Sequence, residues 1–404
     1  MNRFAGVLFS SVSALIVCSD LVSAQESLTL EAALARARTH SPALLAARAR
    51  VEEARARLRG ASRPRDNPQL EGAAGRRESG AAWDLEVGLS QPLELGGRRK
   101  ARVAGAQAAL ERDLALAEDA LRRALRDVTA VFLSASGATE RLRVAEATAT
   151  YADEILRIAQ RRHEQGDVAT LDVNLAQSGL ARARADVHSV AASEAAALGT
   201  LRALLNLEPE RPLTLDFPSS RAPVPELATL MESASQRADL RALTAELKEA
   251  EADIRLGKSL AWPEVAPGVR YERDEGTNVL WGGLTLSLPF LNRGQETREV
   301  GEARVQRVRG ELEALRATIR NEVQAAWTVY ALRQKAADEL QAQEAALDDN
   351  ETLARRSYEV GQIGLGELLL VRRETAEVRA ALLERLTEAA EARLELDTRA
   401  GVLR

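Results

Sequence analysis

The stretch Trp83-Asp84-Leu85-Glu86-Val87-Gly88-Leu89-Ser90-Gln91-Pro92-Leu93-Glu94-Leu95-Gly96-Gly97-Arg98 changes its period in the middle. Apolar and polar residues alternate from Trp83 to Ser90, which predicts a β-strand with one apolar and one polar face. The alternation stops at Pro92, the Gly-Gly pair allows a tight corner, and helical spacing begins at Arg98. Because no proline follows until Pro209, this short strand is predicted to lead into unusually long helices.

The same junction occurs a second time in the chain. Residues 279–289 alternate again, and Pro289, Asn292 and Gly294 form a second corner. Pro289 lies 197 residues after Pro92, and the other matched positions lie 195 to 197 residues apart. A period that extends over the whole chain indicates a duplicated unit. Each unit is predicted to contain a helix, a β-hairpin, a long helix, a tip and a returning long helix.

Each half of the chain supplies one β-hairpin, over residues 68–91 and 263–289. If these strands enter a membrane, their apolar faces are predicted to contact lipid. The predicted lipid-facing residues are Leu70, Trp83, Leu85, Val87, Leu89, Val265, Val269, Tyr271, Leu280, Leu284, Leu286 and Leu288. The predicted strand-to-helix elbows are Pro92, Gly96, Gly97, Pro289, Asn292 and Gly294.

The long helices carry apolar residues at coiled-coil spacing. Residues 98–163 form one uninterrupted helical pattern, which at about 1.5 Å per residue reaches on the order of 100 Å. This length far exceeds that of a globular core. The predicted packing seam of this helix consists of Leu114, Ala117, Leu121, Ala124, Val128 and Val131.

The domain organisation follows from the duplication. Residues 1–24 have the pattern of an export signal peptide, with a positive end, an apolar region and small residues before Gln25. The first repeat is predicted over residues 25–207 with its tip near 164–171, and the second over 227–404 with its tip near 359–366. Residues 208–226, with five prolines, form the predicted connector. Lipidation of Cys18, the single cysteine, stays open, although Val17 is larger than the residue that a lipoprotein signal needs there.

The composition favours long helices over an enzyme fold. The chain has 404 residues, 46% hydrophobic, 28% charged and 3% aromatic, with a formal charge of −5 that argues against a nucleic-acid surface. The three histidines lie scattered along helices, and HExxH, CxxC and Gly-rich phosphate motifs are absent from the sequence. The sequence therefore predicts no catalytic, metal or cofactor site.

Four strands cannot close a barrel, and an open sheet in lipid leaves edge groups unpaired at several kcal/mol each. Two chains would give eight strands with a filled interior, whereas three would give twelve strands and a lumen. The predicted fold is therefore mainly α with a small β part. If the strands enter a membrane, several protomers must share one barrel, and the long helices would continue it as a coiled-coil wall with the same symmetry.

Three motifs resemble the TolC family of outer-membrane efflux factors, and the resemblance covers essentially the whole mature chain. The motifs are Leu28-Thr29-Leu30-Glu31-Ala32-Ala33-Leu34, Gln91-Pro92-Leu93-Glu94-Leu95-Gly96-Gly97-Arg98-Arg99 and Leu286-Ser287-Leu288-Pro289-Phe290-Leu291-Asn292-Arg293-Gly294. They are most similar to the branch that is paired with heavy-metal resistance pumps. The resemblance implies a homotrimeric channel-tunnel in the cell outer membrane with a long periplasmic extension. In such a channel the duplicated long helices form a coiled-coil α-barrel, and four strands per protomer contribute to a twelve-stranded trimeric transmembrane β-barrel. It also implies a periplasmic adaptor protein and an inner-membrane efflux pump as partners, with metal cations among the candidate substrates.

The resemblance further places the two tips at the periplasmic end, where relatives close the aperture and receive the adaptor. The implied tip residues are Arg161, Arg162, His163, Glu164, Gly166, Asp167, Arg355, Arg356, Tyr358, Glu359, Gly361, Gly364 and Glu367. The arginines and Tyr358 are expected to form breakable links to Glu164, Asp167 or Glu359. His163 stands where the second copy has Tyr358, which argues against a symmetric network.

Two other classes of function stay open at this point. A soluble periplasmic coiled-coil scaffold would explain the long helices but not the repeated amphipathic hairpins. An enzyme would require a clustered set of titratable residues in a pocket, which the sequence does not suggest. The exported compound and the class of pump are not specified by the sequence.

Overall fold

The computed structural model describes residues 27–76, 83–208, 213–215, 223–274 and 277–403. The predicted signal peptide, both hairpin turns and most of the connector lie outside this part of the chain. The helices are α1 (Leu30–His40), α2 (Pro42–Ala61), α3 (Arg98–Glu164), α4 (Thr170–Leu205), α5 (Leu227–Ser235), α6 (Ala238–Ser259), α7 (Gln295–Gln341), α8 (Glu344–Glu359) and α9 (Leu365–Ala400). None of the helices described is both long enough and apolar enough to cross a lipid bilayer.

The strands form two sheets. They are β1 (Ser27–Leu28), β2 (Gln69–Arg76), β3 (Trp83–Ser90), β4 (Thr214–Leu215), β5 (Glu264–Asp274) and β6 (Thr277–Ser287). Four of them form an antiparallel sheet in the order β2-β3-β5-β6, so the two hairpins lie side by side. The prediction of a mainly helical chain with a small β part is confirmed.

A second sheet was missed by the sequence analysis. β1 pairs in parallel with β4, which lies in the segment predicted to be an irregular connector. Each strand has only two residues, which is too short for a periodic pattern to be read. The pair joins the start of the first repeat to the segment that follows it.

Three pairs of left-handed residues mark the duplication in the backbone. Gly97 and Gly294 begin the two long helices at φ 80° and 76°. Gly166 and Gly361 turn the two tips at φ 80° and 77°, and they lie 195 residues apart. Asn206 and Gly401, also 195 residues apart, end the returning helices at φ 51° and 72°. Because both halves change direction at matching positions, the structure contains two copies of one unit.

The predicted seam of α3 is partly wrong. Leu114 is 39% exposed, whereas Ala108 and Ala115 on a different face are each 4% exposed. The reason is that α3 packs against α6 of the second repeat as well as against α2 and α4 of its own. Small side chains allow that close approach, and a pattern read from large apolar residues misses them.

The second long helix is interrupted, unlike the first. α3 runs unbroken for 67 residues, but α7 ends at Gln341 and α8 begins at Glu344. Neither proline nor glycine occurs between those two residues, so the sequence carries no breaker that would predict the interruption. The tip of the second repeat is therefore built on a short separate helix.

The cores of the two repeats also differ. In the second repeat Val308, Leu312 and Ile319 of α7 belong to a buried cluster with α5, α6 and α9. The residues 195 positions earlier in α3 are Asp113, Ala117 and Ala124. They line a groove of about 1040 Å³ between α1, α2, α3 and the end of α4. The groove exists because small or charged side chains replace large apolar ones.

Candidate functional site

The four-stranded sheet has one apolar and one polar face. Residues directly opposite each other in antiparallel strands share a face. The register pairs Leu70 with Leu89, Leu89 with Val269, and Tyr271 with Leu280. By the same register, every residue that was predicted to face lipid lies on the face containing Leu89, except Leu288, which follows the end of β6. The alternation in sequence therefore becomes a continuous apolar surface across all four strands.

This apolar face is exposed in the single chain. Leu70 and Leu280 are each 75% exposed and Leu284 is 60% exposed. No helix in the described part of the chain packs against the sheet strands closely enough to cover them. An apolar surface of this kind on a water-soluble monomer is rare and indicates contact with lipid or another protein.

The opposite face is polar and mainly acidic. Glu86 and Glu272 lie directly opposite each other, and Arg270 forms an ion pair with Glu86 at 2.7 Å. Gly88 and Gly268 leave space on this face beside Trp281, in a pocket of about 370 Å³. Like charges directly opposite each other are unfavourable in a sheet, and a water-filled environment lessens that penalty.

The sheet also has two open edges. Within the described residues β2 pairs only with β3, and β6 pairs only with β5. The outer N–H and C=O groups of both edge strands are therefore available to strands of another chain.

The elbows between strands and helices depend on close contacts at glycine. Gly96 has φ 66°, and an added Cβ there would lie 2.5 Å from the Trp262 ring. Arg98 Nη2 donates a hydrogen bond to the Trp262 carbonyl oxygen at 2.7 Å. At the second elbow the Gly294 N–H donates to Asn292 Oδ1 at 3.0 Å. Trp262 of the second repeat thus supports the elbow of the first.

A clamp at the first elbow was not predicted from the sequence. Arg102 forms an ion pair with Glu94, with Nη2 and Oε2 3.0 Å apart, and also donates to the carbonyl oxygens of Ala61 and Arg63 at 3.2 and 3.0 Å. The hydrogen bond from Arg102 lowers the pKa of Glu94 below its usual value. One guanidinium therefore joins the end of α2 to the start of α3.

The tips contain two left-handed glycines, Gly166 and Gly361, and two glycines with ordinary backbone angles, Gly364 and Gly366. Gly166 and Gly361 require positive φ, but Gly364 has φ −79° and precedes α9 as its N-cap residue. The Gly364 N–H donates to Glu367 Oε2 at 3.2 Å. Only Gly166 and Gly361 therefore need to be glycine for backbone reasons.

The contacts of Tyr358 do not include the breakable link to Glu164, Asp167 or Glu359 that was predicted for it. Its side chain is fully buried in a cluster with Ile155, Ala176 and Leu368, because it occupies a core position near the end of α8. Burial raises the pKa of its phenol. Arg162 stacks 4.9 Å from the ring centre and donates from Nη1 to the Tyr358 carbonyl oxygen at 3.0 Å.

The other tip residues make contacts that were not predicted. Arg355 pairs with Glu154 of α3 at 3.6 Å, not with the three expected carboxylates. His163 Nδ1 lies 2.9 Å from the Val168 carbonyl oxygen, and the Asp167 N–H donates to the Arg162 carbonyl oxygen at 2.9 Å. A shallow surface pocket of about 550 Å³ brings several charged tip residues together. Its lining includes Arg161, Glu164, Arg355 and Glu359. The Arg356 carbonyl oxygen accepts a hydrogen bond from the Val360 N–H.

A buried ionic cluster near the tips was also missed. The Arg372 guanidinium lies 3.4 Å from the centre of the Tyr151 ring and pairs with Glu351. Glu351 also pairs with Arg379 at 2.9 Å, and its side chain is only 13% exposed. Burial lowers the pKa of Arg372 to about 10. In sequence these residues look like the many solvated charges around them, so no pattern distinguishes them.

The first repeat carries only part of this cluster. Asp153 and Arg184 pair at 3.2 Å, and they correspond to Asp348 and Arg379 at a shift of 195 residues. The counterpart of Arg372 is Gln177, so the buried arginine is specific to the second repeat. Among the described residues no group of three or more His, Cys, Asp or Glu could hold a metal ion.

Comparison with known protein families gives one match in each half of the chain. The model described as "Outer membrane efflux protein" matches residues 33–207 and 229–402. These two segments coincide with the two repeats of the structure.

Two curated relatives are similar in sequence. The cobalt-zinc-cadmium resistance protein CzcC of Cupriavidus metallidurans is 30% identical over 217 residues, covering 51% of this chain and 50% of the relative. Protein CyaE of Bordetella pertussis is 29% identical over 277 residues, covering 65% and 58%. The chain thus spans about half the length of the first curated relative it matches and under two thirds of the second.

Two solved structures share the fold. Crystal structures of CusC, described in terms of transmembrane channel formation, match with a TM-score of 0.73 at 18% identity, covering 92% of both chains. The outer membrane protein VceC from Vibrio cholerae matches with a TM-score of 0.72 at 17% identity, covering 92% of this chain and 96% of VceC.

Proposed function

The chain belongs to the outer membrane efflux protein family, and from this premise we propose that it is the outer-membrane exit duct of a tripartite efflux system. Three copies form one channel, which an inner-membrane pump supplies through a periplasmic adaptor. The duct is passive, because the pump provides the energy and no chemical step is required. Residues 1–24 are removed on export, and the two tips face the periplasm.

The separation of the two sheet faces is the observation that carries this proposal. A sheet that exposes leucine on one face and glutamate on the other fits a wall between lipid and water. Its open edges require more strands, and four strands from each of three chains close a twelve-stranded barrel with a lumen. The helices α3, α4, α7, α8 and α9 then continue the lumen as a tube.

The substrate class is proposed from the relatives. CzcC is named for cobalt, zinc and cadmium resistance, and another relative is named for pyoverdine export. We favour metal cations, because the elbow motifs resemble the heavy-metal branch. A strain that lacks the gene should become sensitive to cobalt, zinc or cadmium, whereas unchanged metal tolerance would exclude this substrate class.

The membrane role is tested by arginine substitutions at two adjacent residues of β6 that lie on opposite faces. Leu284→Arg places a charge on the apolar face, which near the bilayer midplane costs about 2–4 kcal/mol, so the variant should fail to accumulate as outer-membrane trimers. Thr285→Arg places the same charge on the polar face and should assemble normally.

Fractionation of the outer membrane and unheated gel electrophoresis measure both outcomes. Equal assembly of the two variants, or recovery of the unmodified chain in the soluble fraction without detergent, would contradict the proposal and favour the periplasmic scaffold.

A further inference from the structure

Trp281 of β6 is an aromatic residue on the polar face of the sheet. It lies directly opposite Arg270 of β5, which in turn lies opposite Gly88 of β3, so all three share this face. The Trp281 side chain is 55% exposed and therefore belongs to no packed core. Large apolar side chains of an antiparallel sheet normally lie on its apolar face. The position of Trp281 thus needs an explanation other than packing.

Arg270, the cation opposite Trp281, is directed away from the indole ring. Its guanidinium pairs with Glu86 of β3 at 2.7 Å. An added Cβ at Gly88 would lie 3.9 Å from Arg270 Nε, so the arginine side chain extends over Gly88 toward β3. In the part of the chain that the structure describes, the arginines that stack on aromatic rings lie in helices. The face of the indole ring is therefore available to another cation.

The surface beside Trp281 consists of glycine. Gly268 and Gly283 lie directly opposite each other in the next row of the same face. At Gly268 an added Cβ would lie 3.0 Å from the Leu89 carbonyl oxygen, so the neighbouring strand explains this glycine. At Gly283 no atom lies within 4 Å of an added Cβ and φ is not positive, so neither crowding nor backbone conformation requires glycine. The indole ring therefore leaves this glycine floor open.

The charges around the glycine floor are mainly negative. Glu71 and Glu272 line the same pocket of about 370 Å³ as Trp281. Arg270 also lines it, but its charge is already balanced by Glu86. Neither Glu71 nor Glu272 forms an ion pair with any residue that the structure describes. An aromatic face beside two carboxylates attracts a cation and disfavours an anion.

We propose that Trp281, Gly268 and Gly283 form a slot that binds a flat organic cation. The ring of the ligand stacks on the indole above the glycine floor, and its positive charge lies near Glu71 and Glu272. The volume of the pocket falls within the range of small-molecule sites, about 300–1,000 Å³. The slot rests on the proposed duct, because the polar face lines a lumen only in the assembled barrel.

The chemistry of the slot distinguishes between two kinds of cation. A flat organic cation offers both a charge for the carboxylates and an apolar surface for the indole ring. A hydrated metal ion offers only the charge. The slot is open to solvent on one side, so the ligand is held briefly. Weak binding suits a duct, because a compound that binds tightly cannot leave.

Block of the ion current through purified trimers in planar bilayers measures this binding. The probe is N-methylquinolinium, a flat aromatic cation. Tetramethylammonium has the charge without the aromatic ring, and naphthalenesulfonate has a similar ring system with the opposite charge. We expect N-methylquinolinium to block the potassium current at a lower concentration than either of the other two compounds.

Two adjacent glycines of β6 provide matched variants. Gly283→Val fills the glycine floor, so the half-blocking concentration of N-methylquinolinium should rise by about 5- to 30-fold, the equivalent of one cation–π contact. Gly282→Val adds the same side chain on the apolar face opposite Val269, again with no atom within 4 Å of its Cβ, and should leave the block unchanged.

Substitutions of Trp281 test the slot independently of the glycines. Trp281→Ala removes the aromatic face and should weaken the block as much as Gly283→Val does. Trp281→Phe keeps an aromatic face and should retain most of the block. If Gly283→Val does not assemble, the comparison of these two variants decides the same question.

Three results would overturn the slot. A block that is equally strong in unmodified and Trp281→Ala trimers would place the binding elsewhere while the duct stands, because both channels still conduct. An equally strong block by tetramethylammonium would show that charge alone decides and that the indole ring plays no part. Unmodified protein that is monomeric in detergent and carries no current would overturn the duct and the slot together.

Discussion

Single residues at the first elbow connect the sheet to the helices. Glu94 is held by Arg102, whose guanidinium also binds the end of α2. The carboxylate is mostly buried and its pKa is lowered, so the ionised form is the one that the folded protein stabilises.

Glu94→Gln should lower the free energy of unfolding by about 1 kcal/mol at neutral pH, because a charge-assisted hydrogen bond becomes a neutral one. A carboxylate with a lowered pKa contributes stability above its unfolded pKa and loses it as the pH falls through its folded pKa. The difference between the variant and the unmodified protein should therefore begin to shrink below the usual glutamate pKa of about 4.3 and disappear once the pH lies below the lowered pKa of Glu94. Thermal unfolding followed by circular dichroism at several pH values measures this, and a difference that persists at low pH would rule out the ionic explanation.

The buried cluster in the second repeat gives a second prediction at this scale. Glu351→Gln leaves Arg372 without its anionic partner, and breaking a buried pair costs about 3–5 kcal/mol. The rate of backbone amide hydrogen exchange in α8 and α9 should rise accordingly. Asp153→Asn is the control, because this pair is more exposed and should lose less than about 1 kcal/mol. Equal effects would mean that burial does not decide the strength of these pairs.

Among the structural elements, the tips have the strictest requirement on backbone conformation. Gly361 has φ 77° and its N–H donates to the Tyr358 carbonyl oxygen at 3.1 Å. Proline fixes φ near −65° and has no N–H, so Gly361→Pro is incompatible with the present turn and removes its hydrogen bond.

We expect Gly361→Pro to abolish export while trimers remain intact, and bulky substitutions of Gly166 to act in the same way. Gly364→Ala is the matched control, since φ is −79° there and no atom lies within 4 Å of the added Cβ. Substrate accumulation in cells and unheated gels measure the two properties. Normal export by the Gly361 variant would remove the tips from the mechanism.

The elements show which features a sequence can specify. Strand alternation and the glycine corners were predicted because each depends on residues close together in the chain. The buried side of α3 was not, because it is set by α6, more than a hundred residues away. The burial of Tyr358 was not predicted for the same reason, since its partners Ile155 and Leu368 lie on other helices. The interruption before Glu344 was not predicted, because neither proline nor glycine marks it in the sequence.

At the scale of the whole molecule, the polar face of the sheet would set the charge of the lumen in the proposed trimeric duct. Glu71, Glu86 and Glu272 on this face outnumber Arg270, and the proposed trimer would repeat them three times. A ring of carboxylates attracts cations and repels anions.

Purified trimers in planar bilayers should therefore prefer cations in a potassium chloride gradient. Glu272→Lys should shift the reversal potential toward zero or beyond, whereas Tyr271→Phe on the other face should leave it unchanged. A reversal potential that does not respond to Glu272→Lys would place the selective region in the helical tube.

The alanine-lined groove of the first repeat has a consequence for engineering. The second repeat already shows which side chains fill the equivalent volume, with Ile319 in the place of Ala124 and Leu312 in the place of Ala117. Transplanting them, as Ala124→Ile and Ala117→Leu, should raise the free energy of unfolding by about 0.5–2 kcal/mol for each change, as is typical of cavity filling, and thereby raise the thermal midpoint. One half of the chain thus serves as the design template for thermostabilising the other.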